Sequence, residues 1–259
     1  MISVDLNCDM GESFGAWTMG SDAELMDHVS SVNIACGFHA GDPSTMRKTV
    51  ETAIEKSVAI GAHPSYPDLQ GFGRRNMSLS PQEVFDIVLY QVAALKGICE
   101  ASGTRLRHVK PHGALYNQAA KDIALASSIS EAIRKIDDNL IVFGLSGSFL
   151  IAEAEKQGLR TASEAFADRT YQVDGSLTSR SLPDALIIRS EIAAQQALQL
   201  ILDSTVTTIC GEIIPIKADT ICIHGDGEHA IEFARTIKRT LTGNNISISA
   251  PWADSAVNQ

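Results

Sequence analysis

A repeat of kind rather than of letters limits this fold most. A short apolar run, a polar cluster where it stops and a helical pattern follow one another about seven times. The first instance is Val4-Asp5-Leu6-Asn7-Cys8-Asp9-Met10-Gly11-Glu12-Ser13, a strand that ends in functional groups. Strands separated by helices call for parallel pairing, because the helix carries the chain back to the starting edge. The wholly apolar run Leu140-Ile141-Val142-Phe143-Gly144 suits a parallel strand covered on both faces. An open doubly wound sheet and a closed barrel both satisfy the pattern. An open sheet gathers its functional groups at one switch point, whereas here most strands carry a polar tip. The expectation is therefore an α/β fold, a distorted (β/α) TIM-like barrel with about seven parallel strands, in one domain over residues 1–259.

The remaining expected strands lie at residues 32–37, 58–62, 106–113, 160–169 and 220–223, with a short edge strand at 246–248. Helix starts are marked by chemistry. Asp42 before Pro43 is an N-cap with proline in the first turn. Ser80-Pro81-Gln82-Glu83 and Ser21-Asp22-Ala23-Glu24 both have capping-box spacing. Val84, Ile87, Val88, Val92, Leu95 and Ile98 make the apolar stripe of the longest helix. Further helices are expected near residues 121–136, 149–157, 189–202 and 228–241, with an irregular stretch at 171–183 and a frayed tail from Ala253.

The 31 acidic residues outnumber the 21 basic ones, a formal charge of -10 that argues against nucleic acid and anionic membranes as partners. No apolar run reaches transmembrane length, and the N-terminus lacks a basic stretch leading into an apolar one, so a cytoplasmic protein is expected. Cys8, Cys36, Cys99, Cys210 and Cys222 are odd in number and form no C-x-x-C pair, which suits buried thiols in a reducing compartment.

The strand tips supply the candidate chemistry. Four of the 7 histidines, His39, His63, His112 and His224, lie at strand ends, where imidazoles suit proton transfer near neutral pH. Asp9 could orient a histidine or activate water. Asn7, Glu12, Asn33, Asp68, Lys110, Glu164, Asp168 and Arg169 occupy the same kind of position. His39, His63 and His112 could instead converge with Asp9 on a metal, although no local H-x-x-x-H pair supports one. Asp42 and Asp226 read more simply as helix caps. His28 and His229 read as solvated helix residues, and His108 as pointing away from the barrel mouth. Arg74 and Arg75 follow a glycine-rich loop, where paired guanidinium hydrogen bonds suit a carboxylate or phosphate and a surface ion pair is the plainer alternative. Neither G-x-G-x-x-G at the first helix nor G-x-x-x-x-G-K-[ST] occurs.

Seven of these blocks, at residues 5–15, 33–42, 61–68, 71–75, 109–117, 164–171 and 221–226, together resemble the LamB/YcsF family in order and spacing. The resemblance implies a barrel similar to the glycoside hydrolase/deacetylase fold. It also implies ATP-dependent 5-oxoprolinase activity, the opening of 5-oxo-L-proline to L-glutamate with ATP and Mg2+ as co-substrate. Two partner subunits of that enzyme, B and C, are implied as well. In such a reaction Asp9, His39, His63 or His112 would activate water and Lys110 would stabilise oxyanion charge. Asn7, Glu12, Arg74, Asp168, Arg169 and His224 would hold the substrate. The alternatives are a metal-dependent deacetylase of the related fold and a lactam-binding component without catalysis of its own.

Overall fold

A computed structural model describes residues 2–180, 182–223 and 230–251. In chain order the elements begin with β1 (Ser3–Met10), α1 (Asp22–Leu25), β2 (Ser31–Ala35), α2 (Pro43–Glu55) and β3 (Ala59–His63). They continue with α3 (Pro81–Ala101), β4 (His108–Val109), α4 (Gly113–Ala119), α5 (Ile123–Ile136), β5 (Ile141–Leu145), α6 (Phe149–Lys156) and β6 (Arg160–Phe166). The last are α7 (Ser190–Leu202), β7 (Thr205–Thr207), β8 (Ile213–Pro215), β9 (Thr220–Ile223), α8 (Ala230–Gly243) and β10 (Ser247–Ile248).

Strands β1 to β6 pair in sequence, all parallel, and β9 pairs with both β6 and β1, so the sheet closes into a seven-stranded barrel. The expected edge strand forms as β10, parallel to β1 at Ser3 and Val4. The antiparallel hairpin of β7 and β8, which the sequence pattern does not announce, stands outside the barrel.

Strand alternation sorts the residues of β1. Val4, Leu6, Cys8 and Met10 face outward into the main apolar cluster under the helices. Asp5, Asn7 and Asp9 face inward, so the strand body is less apolar than expected. One side of the barrel interior is polar: Asp5 accepts hydrogen bonds from Ser30, Ser31 and Thr220, and Asn7 bonds Glu164, Thr220 and Asn33. The opposite side is filled by Ile141, Phe143 and Ala162.

His108 stays off the cavity wall but inside the barrel. It shares a face with Lys110 and points into the barrel, where its ring stacks on Phe143 with centroids 4.1 Å apart. Its Nε2 lies 2.8 Å from Asn33 Oδ1. The ring crosses strand β3 at Gly61, where an added Cβ would stand 2.0 Å from His108 Nε2, so only glycine fits.

The helix starts follow the sequence with one exception. Ser80 and Glu83 form the capping box of α3, and Asp42 caps α2 through Ser44 N and Thr45 N. Ser21 makes no capping bond to α1; Asp22 instead accepts the Gly11 N–H at 2.8 Å and ties the loop after β1 in place. Helix α4 is an addition to the expected elements. It starts directly at the β4 tip with His112 at its N-cap. The expected tip residues His224 and Asp226, His229, the helix start at Glu228 and the tail from Ala253 lie outside the described residues.

Two buried groups of the barrel interior pull stability in opposite directions on acidification. Burial, Lys110 and His63 push the His108 imidazole down to about 3. Burial, opposed by hydrogen bonds from Ser30, Thr220 and Ser31, pushes Asp5 up to about 6. The unfolded chain therefore protonates His108 from pH about 6.5 downward while the folded chain does not, and stability falls. Folded Asp5 takes its proton before the unfolded chain does, and stability rises as pH drops from about 6 to about 4. The two contributions offset one another across that window. Asp5→Asn removes the compensating one and is expected to lose about 3 kcal/mol more than the parent between pH 6.5 and 4. Denaturant unfolding at a series of pH values checks this, and parallel pH profiles would refute it.

Candidate active site

The C-terminal ends of the barrel strands open into a cavity of about 670 Å³. Its walls include Asp9, Glu12, His63, Arg74, Lys110, His112, Tyr116 and Arg169. Parallel closure brings these residues together, because every strand ends at the same rim.

Lys110 sits at the centre of the polar cluster. Its Nζ lies 2.8 Å from Glu164 Oε1, 3.0 Å from Asp9 Oδ1, 3.1 Å from Asn7 Oδ1 and 3.1 Å from Cys222 Sγ. Burial opposes its charge, but the Asp9 and Glu164 carboxylates hold the ammonium well above its usual range. Burial likewise opposes the Asp9 charge, and His63 and Lys110 override it, holding that carboxyl well below the usual range. Glu164 is fixed from its other side by the Tyr116 hydroxyl, which donates to Oε2 at 2.7 Å. Asn33 donates to Asp9 Oδ1 at 2.8 Å.

The histidines are oriented by backbone carbonyls. His63 Nδ1 lies 2.6 Å from the Lys110 oxygen, and His112 Nε2 lies 2.8 Å from the Phe72 oxygen. A carbonyl only accepts, so each of these nitrogens carries its hydrogen. The other two nitrogens, His63 Nε2 and His112 Nδ1, are 2.9 Å apart, and Asp9 Oδ2 is 3.2 Å from His63 Nε2. With both rings neutral, three acceptors face one another and none donates, so the cluster has room for one proton or one cation. Burial, then His63, pushes His112 down to about 3.

His39 is buried and stacks on His112 with centroids 3.9 Å apart; neither ring nitrogen has a hydrogen-bond partner among the described residues. It lies behind the cavity wall rather than in it. Gly73 allows this packing: its φ is +63°, and a Cβ there would stand 2.8 Å from His112 Cδ2 and 2.9 Å from His39 Cβ. Glu12, His39, His63 and His112 each bring one donor atom to within 4.8 Å of the others, so Glu12 takes the place that the strand-tip pattern gave to Asp9 in a metal-ligand set.

The expected substrate residues divide. Glu12, Arg74 and Arg169 line the cavity, and the Arg74 guanidinium lies 5.0 Å from the Phe72 ring centroid. Arg169 also donates to the Thr178 and Ala185 carbonyl oxygens, which fixes the irregular strap that closes one side of the cavity. Asn7 is buried below the cavity, outside its lining, with its amide engaged by Glu164 and Lys110. Asp168 lies outside the lining, and Arg75 pairs with Asp68 at the surface, the plainer of its two readings. Sequence reasoning did not single out Tyr116, Cys222 or Thr220 for this network. The period-two pattern of Thr220-Ile221-Cys222-Ile223 was the available signal, since it puts Thr220 and Cys222 on the inward face.

The LamB/YcsF family model matches residues 4–256. A curated relative from Tolumonas auensis, which bears the name of the A subunit of 5-oxoprolinase, is 58% identical over 250 residues, covering 96% of this chain and 100% of its own. The crystal structure of a lactam utilization protein from Thermus thermophilus superposes with a TM-score of 0.92 at 44% identity, over 96% of this chain and 100% of that one. A family 4 carbohydrate esterase from Streptomyces lividans, 12% identical, covers 98% of this chain and 96% of its own with a TM-score of 0.50 and shares the fold alone. The expected likeness to the deacetylase fold holds, and the motifs, the full-length match and the barrel agree: the chain belongs to the LamB/YcsF family.

Proposed function

We propose that this chain is the A subunit of an ATP-dependent 5-oxoprolinase, acting on 5-oxo-L-proline to give L-glutamate as ATP is hydrolysed to ADP and phosphate. The observation that carries this reading is the convergence of Asp9, His63, Lys110 and His112 on one cavity of about 670 Å³. Relatives named for that subunit support the substrate.

A five-membered lactam is a stabilised amide and a poor electrophile. Phosphorylation of its oxygen makes the ring carbon electrophilic. Water then adds to that carbon, the C–N bond breaks as nitrogen takes a proton, and a second water releases phosphate from the acyl phosphate. Within this chain Asp9, at the cavity wall beside His63, takes the proton of the attacking water. Lys110 offsets oxyanion charge at the cavity wall, and Arg74 and Arg169 face the substrate carboxylate or phosphate. Phosphorylation itself, with ATP and Mg2+, belongs to the partner subunits B and C of a cytoplasmic complex. No helix among the described residues is long and apolar enough to cross a membrane.

Glutamate release from 5-oxo-L-proline, ATP and Mg2+ tests the reading. The chain alone, the two partners alone and the three together are compared. Release is expected only from the three together, with ATP turnover in the partners alone. Well-folded components that release none in the mixture would overturn the assignment.

A further inference from the structure

We propose that Glu12, His39, His63 and His112 form a binding site for a divalent transition metal beside the cavity, zinc or a first-row neighbour. The proposal rests on how the four side chains are held, and it stands whatever reaction the cavity performs.

Four observations point to a cation. The donor atoms lie within 4.8 Å of one another, close enough for side-chain rotation to bring them onto one ion. His63 and His112 each give their distal N–H to a backbone carbonyl, at 2.6 and 2.8 Å. Metal-binding histidines are typically braced in this way, which fixes the tautomer and turns the remaining lone pair toward the metal. His63 Nε2 and His112 Nδ1 face each other at 2.9 Å, with Asp9 Oδ2 3.2 Å from His63 Nε2, and with both rings neutral none of the three donates. A cation removes that repulsion.

The fourth observation is His39. The residue is 1% exposed, yet Nδ1 and Nε2 have no hydrogen-bond partner among the described residues. Leaving two imidazole nitrogens buried without partners is costly, so the position calls for a partner that is not a described side chain. Glu12 Oε1 stands 4.0 Å from His39 Nε2, on the open side of the cluster. The His39 and His112 rings are stacked at an interplanar angle of 11°, so binding turns the His39 ring out of the stack to aim a nitrogen at the shared ion. Three imidazoles and one carboxylate suit zinc, cobalt, iron or manganese rather than calcium or magnesium, which prefer oxygen donors.

The test uses the whole chain, stripped with a chelator that is then removed. Zinc and cobalt chlorides are titrated separately by calorimetry, and the visible spectrum of the cobalt-loaded protein is recorded. One equivalent is expected to bind, with ligand-field bands of a nitrogen-and-oxygen site. His39→Ala and Glu12→Gln are each expected to weaken binding by about tenfold or more. Glu12→Gln keeps the test decisive if His39→Ala fails to fold. No stoichiometric uptake, or uptake unchanged in both variants, would overturn the site. So would nitrogen NMR showing His63 Nε2 protonated in the presence of excess zinc, because a proton rather than a metal would then occupy the gap. None of these readouts depends on 5-oxo-L-proline turnover, so the site and the proposed activity stand or fall separately.

Discussion

Lys110→Met is expected to destabilise the fold by about 3–5 kcal/mol, the usual cost of removing one partner from a buried ion cluster. The Lys110 ammonium compensates two carboxylates together, Asp9 at 3.0 Å and Glu164 at 2.8 Å. Glu164 is fully buried, and its remaining contacts, Asn7 Nδ2 and the Tyr116 hydroxyl, are neutral donors. Methionine matches the stem of lysine, so cavity formation contributes little and the loss reports the stranded charge. Lys110→Met combined with Glu164→Gln is accordingly expected to recover part of the loss, a non-additivity that a double-mutant cycle measures. Denaturant unfolding of the parent, both single variants and the double variant provides the four values. A single variant that loses less than about 1 kcal/mol would show that Lys110 does not anchor the cluster.

Asp9→Asn tests the chemistry rather than the fold. Asparagine keeps an oxygen toward Lys110 and Asn33 but removes the charge facing His63. Activity in the three-subunit mixture is expected to fall roughly a hundred- to ten-thousand-fold, the range for loss of a positioned acid–base group. The loss should appear in kcat, with KM little changed, because Arg74 and Arg169 remain in the wall. The unfolding midpoint should fall less than in Lys110→Met, since Lys110 keeps its bond to Glu164. Full activity would remove Asp9 from the chemistry and leave it a structural partner of Lys110. Measuring stability and rate on both variants separates the residue that holds the cluster from the one that reacts.

The amino-acid sequence determined the parallel barrel and the rim. Alternating strand and helix signals, the caps at Asp42 and Ser80, and polar groups at strand ends led to a closed barrel. They also led to Asp9, His63, Lys110 and His112 as neighbours. These are local signals combined with one topological rule, that parallel strands of a barrel end on the same rim. The irregular strap near residues 171–183 was legible for the same reason, since nothing in it repeats with a helical or strand period.

Only the tertiary structure decided what each side chain meets. Asn7 and Glu164 bond at 2.9 Å although 157 residues separate them, and Asn7 and Thr220 bond at 2.7 Å across 213. The order of residues along the chain contains no distance between β1, β6 and β9; closure of the barrel sets it. Closure also set Asn7 against Lys110 below the cavity, and brought His108 inward over Gly61. His39 shows the limit most plainly. Its position at the end of a strand was readable, but its burial against His112 with both ring nitrogens unpartnered arises where β2, the loop at Gly73 and the start of α4 pack together. A strand period tells which residues share a face, and the packing of distant segments decides whether that face meets water, a ligand or another side chain.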